Sequence, residues 1–125
     1  MIQTRGYYSL IQYCPEPSRL EACNVGVLVF RPEPHFLRAK TSWSSARIRR
    51  FFGRDLEIDS QYILRLQQGI EDRLLIEGLA ILTPNDLADF GGSLANEIRI
   101  TTPRPTTIES PEETLETLFR ELVLP

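Results

Sequence analysis

Three polar side chains, Arg19, Glu21 and Asn24, lie close together where a loop is predicted to enter a buried strand. Arg19 and Glu21 carry opposite charges and are suited to form a salt bridge that holds the loop in place. Asn24 lies inside the apolar run Ala22–Phe30, where an amide without hydrogen-bond partners would cost about 1–3 kcal/mol. We therefore predict that Asn24 is buried and hydrogen-bonded to the Pro15–Glu21 loop or to Arg19.

This cluster has two interpretations. In the first, its side chains form a satisfied turn network with a purely structural role. In the second, they line a polar pocket at the edge of the sheet, which would bind a ligand or form the centre of an enzyme of a new type. Gly26, in the strand that follows, indicates a bulge or the close approach of another backbone.

Cysteine and histidine are too rare to support a metal site. The chain contains Cys14, Cys23 and His35, and a structural zinc site takes more Cys and His ligands than these. No nucleophile signature surrounds either cysteine, and the phosphate-binding and nucleophile-elbow glycine motifs are absent. We interpret both cysteines as small apolar residues in strands. We predict no metal, no cofactor and no catalytic residue; enzyme activity stays an open question, with a non-catalytic role favoured.

Charge is distributed unevenly along the sequence. Residues 1–54 contain nine basic and three acidic side chains, and residues 55–125 contain five basic and fourteen acidic ones. The two halves therefore carry +6 and −9, which together give the net charge of −3. One interpretation is an anion-binding or protein-binding surface on the first half. The other is that the halves pack together, so that several arginines of the Arg47–Arg54 helix pair with acidic residues of 55–125.

A nucleic-acid-binding or phosphate-binding surface would draw on a limited set of basic residues: Arg38, Lys40, Arg47, Arg49, Arg50, Arg99 and Arg104. The sequence pI of about 5.2 argues against a dedicated nucleic-acid-binding domain, which is usually basic as a whole. Combined with the loop cluster, the candidate binding residues are Arg19, Glu21, Asn24, Arg38, Arg47, Arg50, Arg99 and Arg104.

The elements that position these residues point to an α+β fold. A length of 125 residues is typical of one domain, predicted to span 1–125. Aromatic, β-branched and alternating runs predict strands at Tyr7–Cys14, Ala22–Phe30, Phe36–Thr41 and Asn96–Thr101. Capping residues and apolar spacing predict helices that begin at Ser44 or Ser45, Asp59–Ser60, Thr83–Pro84 and Ser110–Pro111. We predict an antiparallel sheet of three to four strands packed against three to four helices.

Three local features refine this prediction. Gly53 is placed to end the first helix. The second helix has one apolar stripe, which consists of Ile63, Leu66, Ile70 and Leu74. The proline-containing stretch Thr102–Thr107 is predicted to be irregular.

The apolar runs of the chain are short. None approaches the ~18 residues of a transmembrane helix. The residues Met1–Gly6 lack the apolar run of a signal peptide. We expect no membrane association and a cytoplasmic location.

Several motifs together resemble a known family. They are Tyr8-Ser9-Leu10-Ile11-Gln12-Tyr13-x-Pro15, Arg19-x-Glu21-x-x-Asn24-Val25-Gly26-Val27, Phe36-Leu37-Arg38-Ala39, Arg47-Ile48-Arg49-Arg50-Phe51-Phe52-Gly53, Ile98-Arg99-Ile100-Thr101-Thr102-Pro103-Arg104-Pro105 and Leu118-Phe119-x-x-Leu122-Val123. This combination is similar to the bacterial "domain of unknown function 3037" family and covers nearly the whole chain. The resemblance implies no established activity. It implies a gene neighbourhood shared with HipA-like kinase-fold proteins, and hence a small partner or regulator of a larger protein.

Two functional hypotheses follow, with a third behind them. The first is a protein-binding accessory or regulatory module, with a HipA-like kinase-fold protein as the implied partner. The alternative is a nucleic-acid-binding or phosphate-binding protein that uses the arginine-rich first half. The third is an enzyme built around Arg19, Glu21 and Asn24.

Overall fold

The strands and helices are seen in a computed structural model that describes residues 4–52, 59–94 and 96–124. In chain order they are β1 (Thr4–Tyr13), β2 (Cys23–Arg31), β3 (Phe36–Thr41), α1 (Ser45–Phe52), α2 (Ser60–Glu77), α3 (Pro84–Gly92), β4 (Ile98–Ile100), β5 (Arg104–Ile108) and α4 (Pro111–Leu122). Short 3-10 helices occupy Pro17–Arg19 and Gly78–Ala80. The predicted α+β fold with an antiparallel sheet packed against helices is confirmed. The predicted end of α1 at Gly53 lies outside the described residues.

The sheet is centred on β1, which pairs antiparallel with β2 on one side and with both β4 and β5 on the other. β3 completes the opposite edge by pairing with β2. The described sheet therefore has five strands, not three to four. The prediction that Thr102–Thr107 is irregular was wrong, because most of β5 lies in it. Pro105 is tolerated there because an edge strand leaves part of its hydrogen-bonding capacity unpaired.

Helices cover both faces of the sheet. α4 packs against Val27 and Val29 on one face, together with Ile108. α1, α2 and α3 cover the other face, where the buried residues of β2 are Cys23, Val25, Leu28 and Phe30. The core is thus divided by the sheet into two layers, and α4 alone among the described helices supplies buried residues to its layer.

A β-bulge in β2 changes which side chains face each layer. Ile11 is opposite Gly26 and Gln12 is opposite Asn24, so Val25 is the extra residue. Val25 and Leu28 can therefore face the same layer although their spacing is odd. A Cβ built on Gly26 would lie 2.7 Å from Thr41 Cγ2 and 3.0 Å from the Lys40 carbonyl oxygen. Both features predicted for Gly26, a bulge and a close neighbouring backbone, are confirmed.

Local capping starts the longer helices where the sequence predicts. The Asp59 side chain accepts hydrogen bonds from two backbone N–H groups in the first turn of α2. Thr83 and Asp86 form a reciprocal capping box at α3. Ser110 accepts from the first turn of α4, and Pro111 follows it at the first helical positions. These caps satisfy N–H groups that have no partner within the helix.

α2 is the longest described helix and is attached to the core by a narrow stripe. Ile63 and Ile70 are buried, whereas Leu66 and Leu74 are half-buried and pack at the edges of the core. Much of the helix surface therefore remains outside the core. Within the described ranges, none of the helices combines the length and apolar composition needed to cross a membrane.

Candidate functional site

The predicted cluster of Arg19, Glu21 and Asn24 does not assemble. Arg19 Nε donates to Glu21 Oε1 at 2.9 Å, and this ion pair is exposed on the loop. Asn24 is half-buried rather than buried, and its amide nitrogen donates to the Leu122 carbonyl oxygen at 3.0 Å. Its amide oxygen accepts from Gln12 Nε2 at 2.9 Å. The predicted partners of Asn24 were wrong, because the side chain lies on the sheet face that α4 covers.

Arg47 joins three parts of the chain that are distant in sequence. Its Nη2 donates to the Asn24 carbonyl oxygen at 2.5 Å and also to the Val123 carbonyl oxygen. Its Nη1 lies 3.5 Å from the Ser42 carbonyl oxygen. The guanidinium therefore connects the start of β2, the segment after β3 and the carboxyl end of α4. A cation at that end also interacts favourably with the helix dipole.

A cavity opens beside this junction, between α1, the start of β2 and the end of α4; we call it the α1–α4 cavity. Its volume is about 370 Å³. It is lined by Cys23, Asn24, Arg47, Arg50, Phe51, Leu122, Val123 and Leu124. Three of the eight candidate binding residues, Asn24, Arg47 and Arg50, therefore meet here.

The chemistry of the α1–α4 cavity is cationic and apolar. Within the part of the chain that the structure describes, its lining contains two arginines and no carboxylate side chain. Burial raises the pKa of the Cys23 thiol, and this effect is larger than the opposing effect of the nearby Arg47 guanidinium, which lowers the pKa. Burial also raises the pKa of Cys14. Both cysteines are buried free thiols, and a protonated thiol is a weak nucleophile. Cys23 lies in a strand as predicted, whereas Cys14 directly follows β1.

The remaining candidate residues lie elsewhere. Arg38 is on β3, with its guanidinium carbon 5.2 Å from the centre of the Phe36 ring. Arg99 is on β4 opposite Gln12, and Arg104 is on β5 opposite Tyr8. Both arginines are exposed on the edge of the sheet. The candidate residues thus occupy several separate places and form no single site.

The predicted pairing of several arginines of the Arg47–Arg54 helix with acidic residues of the second half is not seen among the described residues, and Arg54 itself lies outside them. Arg47 binds carbonyl oxygens instead. In residues 4–52, 59–94 and 96–124, no carboxylate lies within ion-pair distance of Arg49 or Arg50. The two halves do meet in one pair, where Lys40 Nζ lies 2.6 Å from Glu116 Oε2. The side chains of α1 therefore keep cationic charge at the surface.

A second candidate surface was missed by the sequence reasoning. Leu75, Ile76 and Leu79 are 81%, 80% and 81% exposed. We call these three residues the aliphatic surface. They lie at spacings of three and four residues across the end of α2 and the 3-10 helix Gly78–Ala80, so they share one side. The available signal was their position off the predicted stripe of Ile63, Leu66, Ile70 and Leu74.

A groove adjoins the aliphatic surface, between β3 and α2. Its volume is about 640 Å³. It is lined by His35, Phe36, Leu37, Arg38, Ala39, Glu71, Leu74, Leu75, Gly78 and Leu79. Two residues of the aliphatic surface thus form one wall of this β3–α2 groove, so an apolar group that covers the surface has a recess to enter.

Metal-ligating side chains do not gather in the described part of the chain. No group of three or more His, Cys, Asp or Glu side chains there is arranged to hold a metal ion. The single histidine, His35, lies 3.0 Å through Nε2 from the Ile81 carbonyl oxygen. That contact ties the turn before β3 to the segment before α3.

Comparison with known proteins gives one match. The family described as "Protein of unknown function (DUF3037)" matches residues 8–123. No curated protein and no solved structure matches the chain. The match begins within β1 and ends just after α4, so it includes the aliphatic surface and the described lining of the α1–α4 cavity except Leu124.

Proposed function

The chain belongs to the DUF3037 family of proteins of unknown function, and we propose that it is a protein-binding accessory module. The observation that carries this proposal is the aliphatic surface, whose three side chains are each about four-fifths exposed. Single exposed aliphatic residues are ordinary, but adjacent ones beside a groove are typical of interaction sites.

The free energy available from covering this surface is substantial. Full burial of one Leu or Ile side chain contributes about 1.5–3 kcal/mol. Each of the three still has about four-fifths of its surface exposed, so together they offer roughly 4–7 kcal/mol. Association itself costs about 4–15 kcal/mol. Additional contacts are therefore needed, and the β3–α2 groove supplies a recess for them.

The charge around the aliphatic surface selects the chemistry of the partner. Residues 71–89 contain five acidic side chains and one basic side chain. The basic one, Arg73, is already paired with Glu77 through a bond of 2.6 Å. Glu71 and Asp72 are exposed. The complementary partner is an amphipathic segment with aliphatic side chains flanked by Lys or Arg.

A HipA-like kinase-fold protein is the first partner to test, since the sequence motifs imply a gene neighbourhood with such proteins. In this proposal the chain docks on the larger protein through the aliphatic surface and regulates it. The α1–α4 cavity stays free, because none of its lining residues belongs to that surface.

The test is a titration of the chain with a HipA-like kinase-fold protein of the same organism, and binding is measured by calorimetry. The variant Leu75→Ala/Leu79→Ala removes most of the aliphatic surface and keeps high helix propensity. The matched control is Leu64→Ala, which changes a leucine on the same helix that is 52% exposed. The double variant loses most of the apolar area of two leucine side chains, and we expect this loss to cost at least about 1.4 kcal/mol of binding free energy. That energy corresponds to binding that is about tenfold weaker.

Two results would overturn the proposal. The first is a complex whose affinity the double variant leaves unchanged, or that Leu64→Ala weakens equally. The second is a homodimer, detected by sedimentation, that the double variant dissociates. In that case a second copy of the chain covers the aliphatic surface, and no other protein is needed to do so.

A further inference from the structure

The α1–α4 cavity combines cationic and apolar side chains in its described lining. Its described walls carry the guanidinium groups of Arg47 and Arg50, and no carboxylate side chain is among the described lining residues. The same walls expose Phe51, which is 57% accessible, and Leu124, which is 40% accessible. A volume of about 370 Å³ is within the range of roughly 300–1,000 Å³ typical of small-molecule sites.

The two arginines differ in whether their guanidinium groups already bind other parts of the protein. Arg47 already donates to the carbonyl oxygens of Asn24 and Val123, so its position is determined by the protein. Arg50 is exposed, and no described carboxylate lies within ion-pair distance of it. Arg47 therefore adds positive potential to the cavity, while Arg50 keeps free donors for an incoming anion.

We propose that the α1–α4 cavity binds an apolar group that carries one carboxylate. The carboxylate accepts hydrogen bonds from the planar fork of Arg50, a geometry that guanidinium and carboxylate groups match well. The apolar part lies against Phe51, Leu122 and Leu124. This inference is independent of the proposed docking function, because the two sites share no residue.

The apolar walls argue for a carboxylate with an apolar tail over a strongly hydrated anion. Phosphate would leave Phe51 and Leu124 uncovered, and it would exchange its hydration shell for a single free guanidinium. A tail that covers these side chains removes apolar surface from water and stabilises the complex. The same chemistry occurs in a free medium-chain carboxylic acid and at the carboxyl terminus of a peptide that ends in an apolar residue.

The experiment uses both sources as probes. Octanoate and N-acetyl-leucyl-leucine are titrated into the full chain, and binding is followed by the amide chemical shifts of α1 and of the end of α4. Octanamide and N-acetyl-leucyl-leucinamide are the uncharged counterparts. Saturable shifts with either acid, and at least about tenfold weaker binding of its amide, are expected. The probe that binds more tightly identifies the source.

A pair of adjacent variants locates the anion contact. Arg50→Gln removes the free guanidinium, and we expect at least about tenfold weaker binding of the acids. Arg49→Gln removes the same charge from the same helix, but Arg49 does not line the cavity, and we expect no change. We expect Phe51→Ala to weaken the binding of both the acids and the amides, because it removes a side chain that contacts the apolar tail of each probe.

Three outcomes would overturn the inference. One is the absence of saturable shifts with both acids. Another is equal affinity for acids and amides, which would leave Arg50 without a role. The third is an equal effect of Arg49→Gln and Arg50→Gln, which would show that the acids respond to the general charge of α1.

Discussion

We predict that Arg47 contributes strongly to the free energy of unfolding, although it is a half-exposed arginine in a short helix. The perturbation is Arg47→Met, which keeps an unbranched apolar side chain and removes the guanidinium. It breaks the hydrogen bonds to the carbonyl oxygens of Asn24 and Val123 and the longer contact to Ser42. The end of α4 would then lose one of its links to β2; the bond from Asn24 to Leu122 would remain.

The expected loss follows from the two hydrogen bonds that the guanidinium donates to the carbonyl oxygens of Asn24 and Val123. A hydrogen bond to a charged group contributes about 1.5–3 kcal/mol, and water can replace part of it at a half-buried site. We therefore take the lower part of the range and expect Arg47→Met to lower the free energy of unfolding by about 2–4 kcal/mol. Domains of this size have a total of about 5–15 kcal/mol, so the loss is a large fraction. It corresponds to a decrease in Tm of roughly 10–20 °C.

The assay is urea unfolding followed by the fluorescence of Trp43, the single tryptophan, which is buried in the core. Arg50→Met is the control, because Arg50 belongs to the same helix, is exposed and has no described protein partner. The control is expected to change the free energy of unfolding by less than about 0.5 kcal/mol. If both variants unfold at the same urea concentration, Arg47 makes no net contribution and the reasoning is refuted.

Three further predictions concern other parts of the molecule. Gly69→Ala should raise the free energy of unfolding by about 0.5–1 kcal/mol in urea melts, because a Cβ at this helical position meets nothing within 4 Å; a loss of stability would contradict this. The backbone N–H groups of Leu82 and Thr83 lower the pKa of the Asp86 carboxyl. The ionised carboxyl therefore stabilises the fold fully above the ordinary carboxyl pKa, and this stabilisation is lost as the pH falls through the lowered pKa of the folded protein. The Tm difference between wild type and Asp86→Asn should therefore shrink on acidification, and a constant difference would refute it. Finally, fluorescence anisotropy at about 150 mM salt should show no tight binding of DNA or RNA, because tight binding needs a footprint of roughly six phosphate contacts and the −9 of residues 55–125 repels the nucleic acid. Sub-micromolar affinity that falls steeply with salt would favour the nucleic-acid alternative.

Local signals in the sequence were reliable where the physical cause is itself local. Asp59, Thr83 and Ser110 begin helices as predicted, because a side-chain oxygen caps N–H groups only two or three residues away. The apolar runs of β2 and β3 identified strands, and the run of β2 identified its burial. The α+β class follows from the order of such segments, so it could be predicted as well.

Errors arose where distant segments meet. β5 contains Pro105 and lacks a clear alternating pattern, and it becomes a strand because the edge of β1 offers it hydrogen-bond partners. No local preference of residues 104–108 contains that information.

In the candidate site, too, local features could be predicted from the sequence, whereas contacts between distant segments could not. The residue types alone require that Asn24 finds hydrogen-bond partners and make α1 rich in arginine. The packed chain then brings both Asn24 and Arg47 to the end of α4, which is nearly one hundred residues from Asn24 in the sequence. It also leaves the aliphatic surface uncovered. A polar group's need for a partner is a property of the residue, whereas the partner's identity depends on which backbone groups the packed chain leaves unpaired nearby.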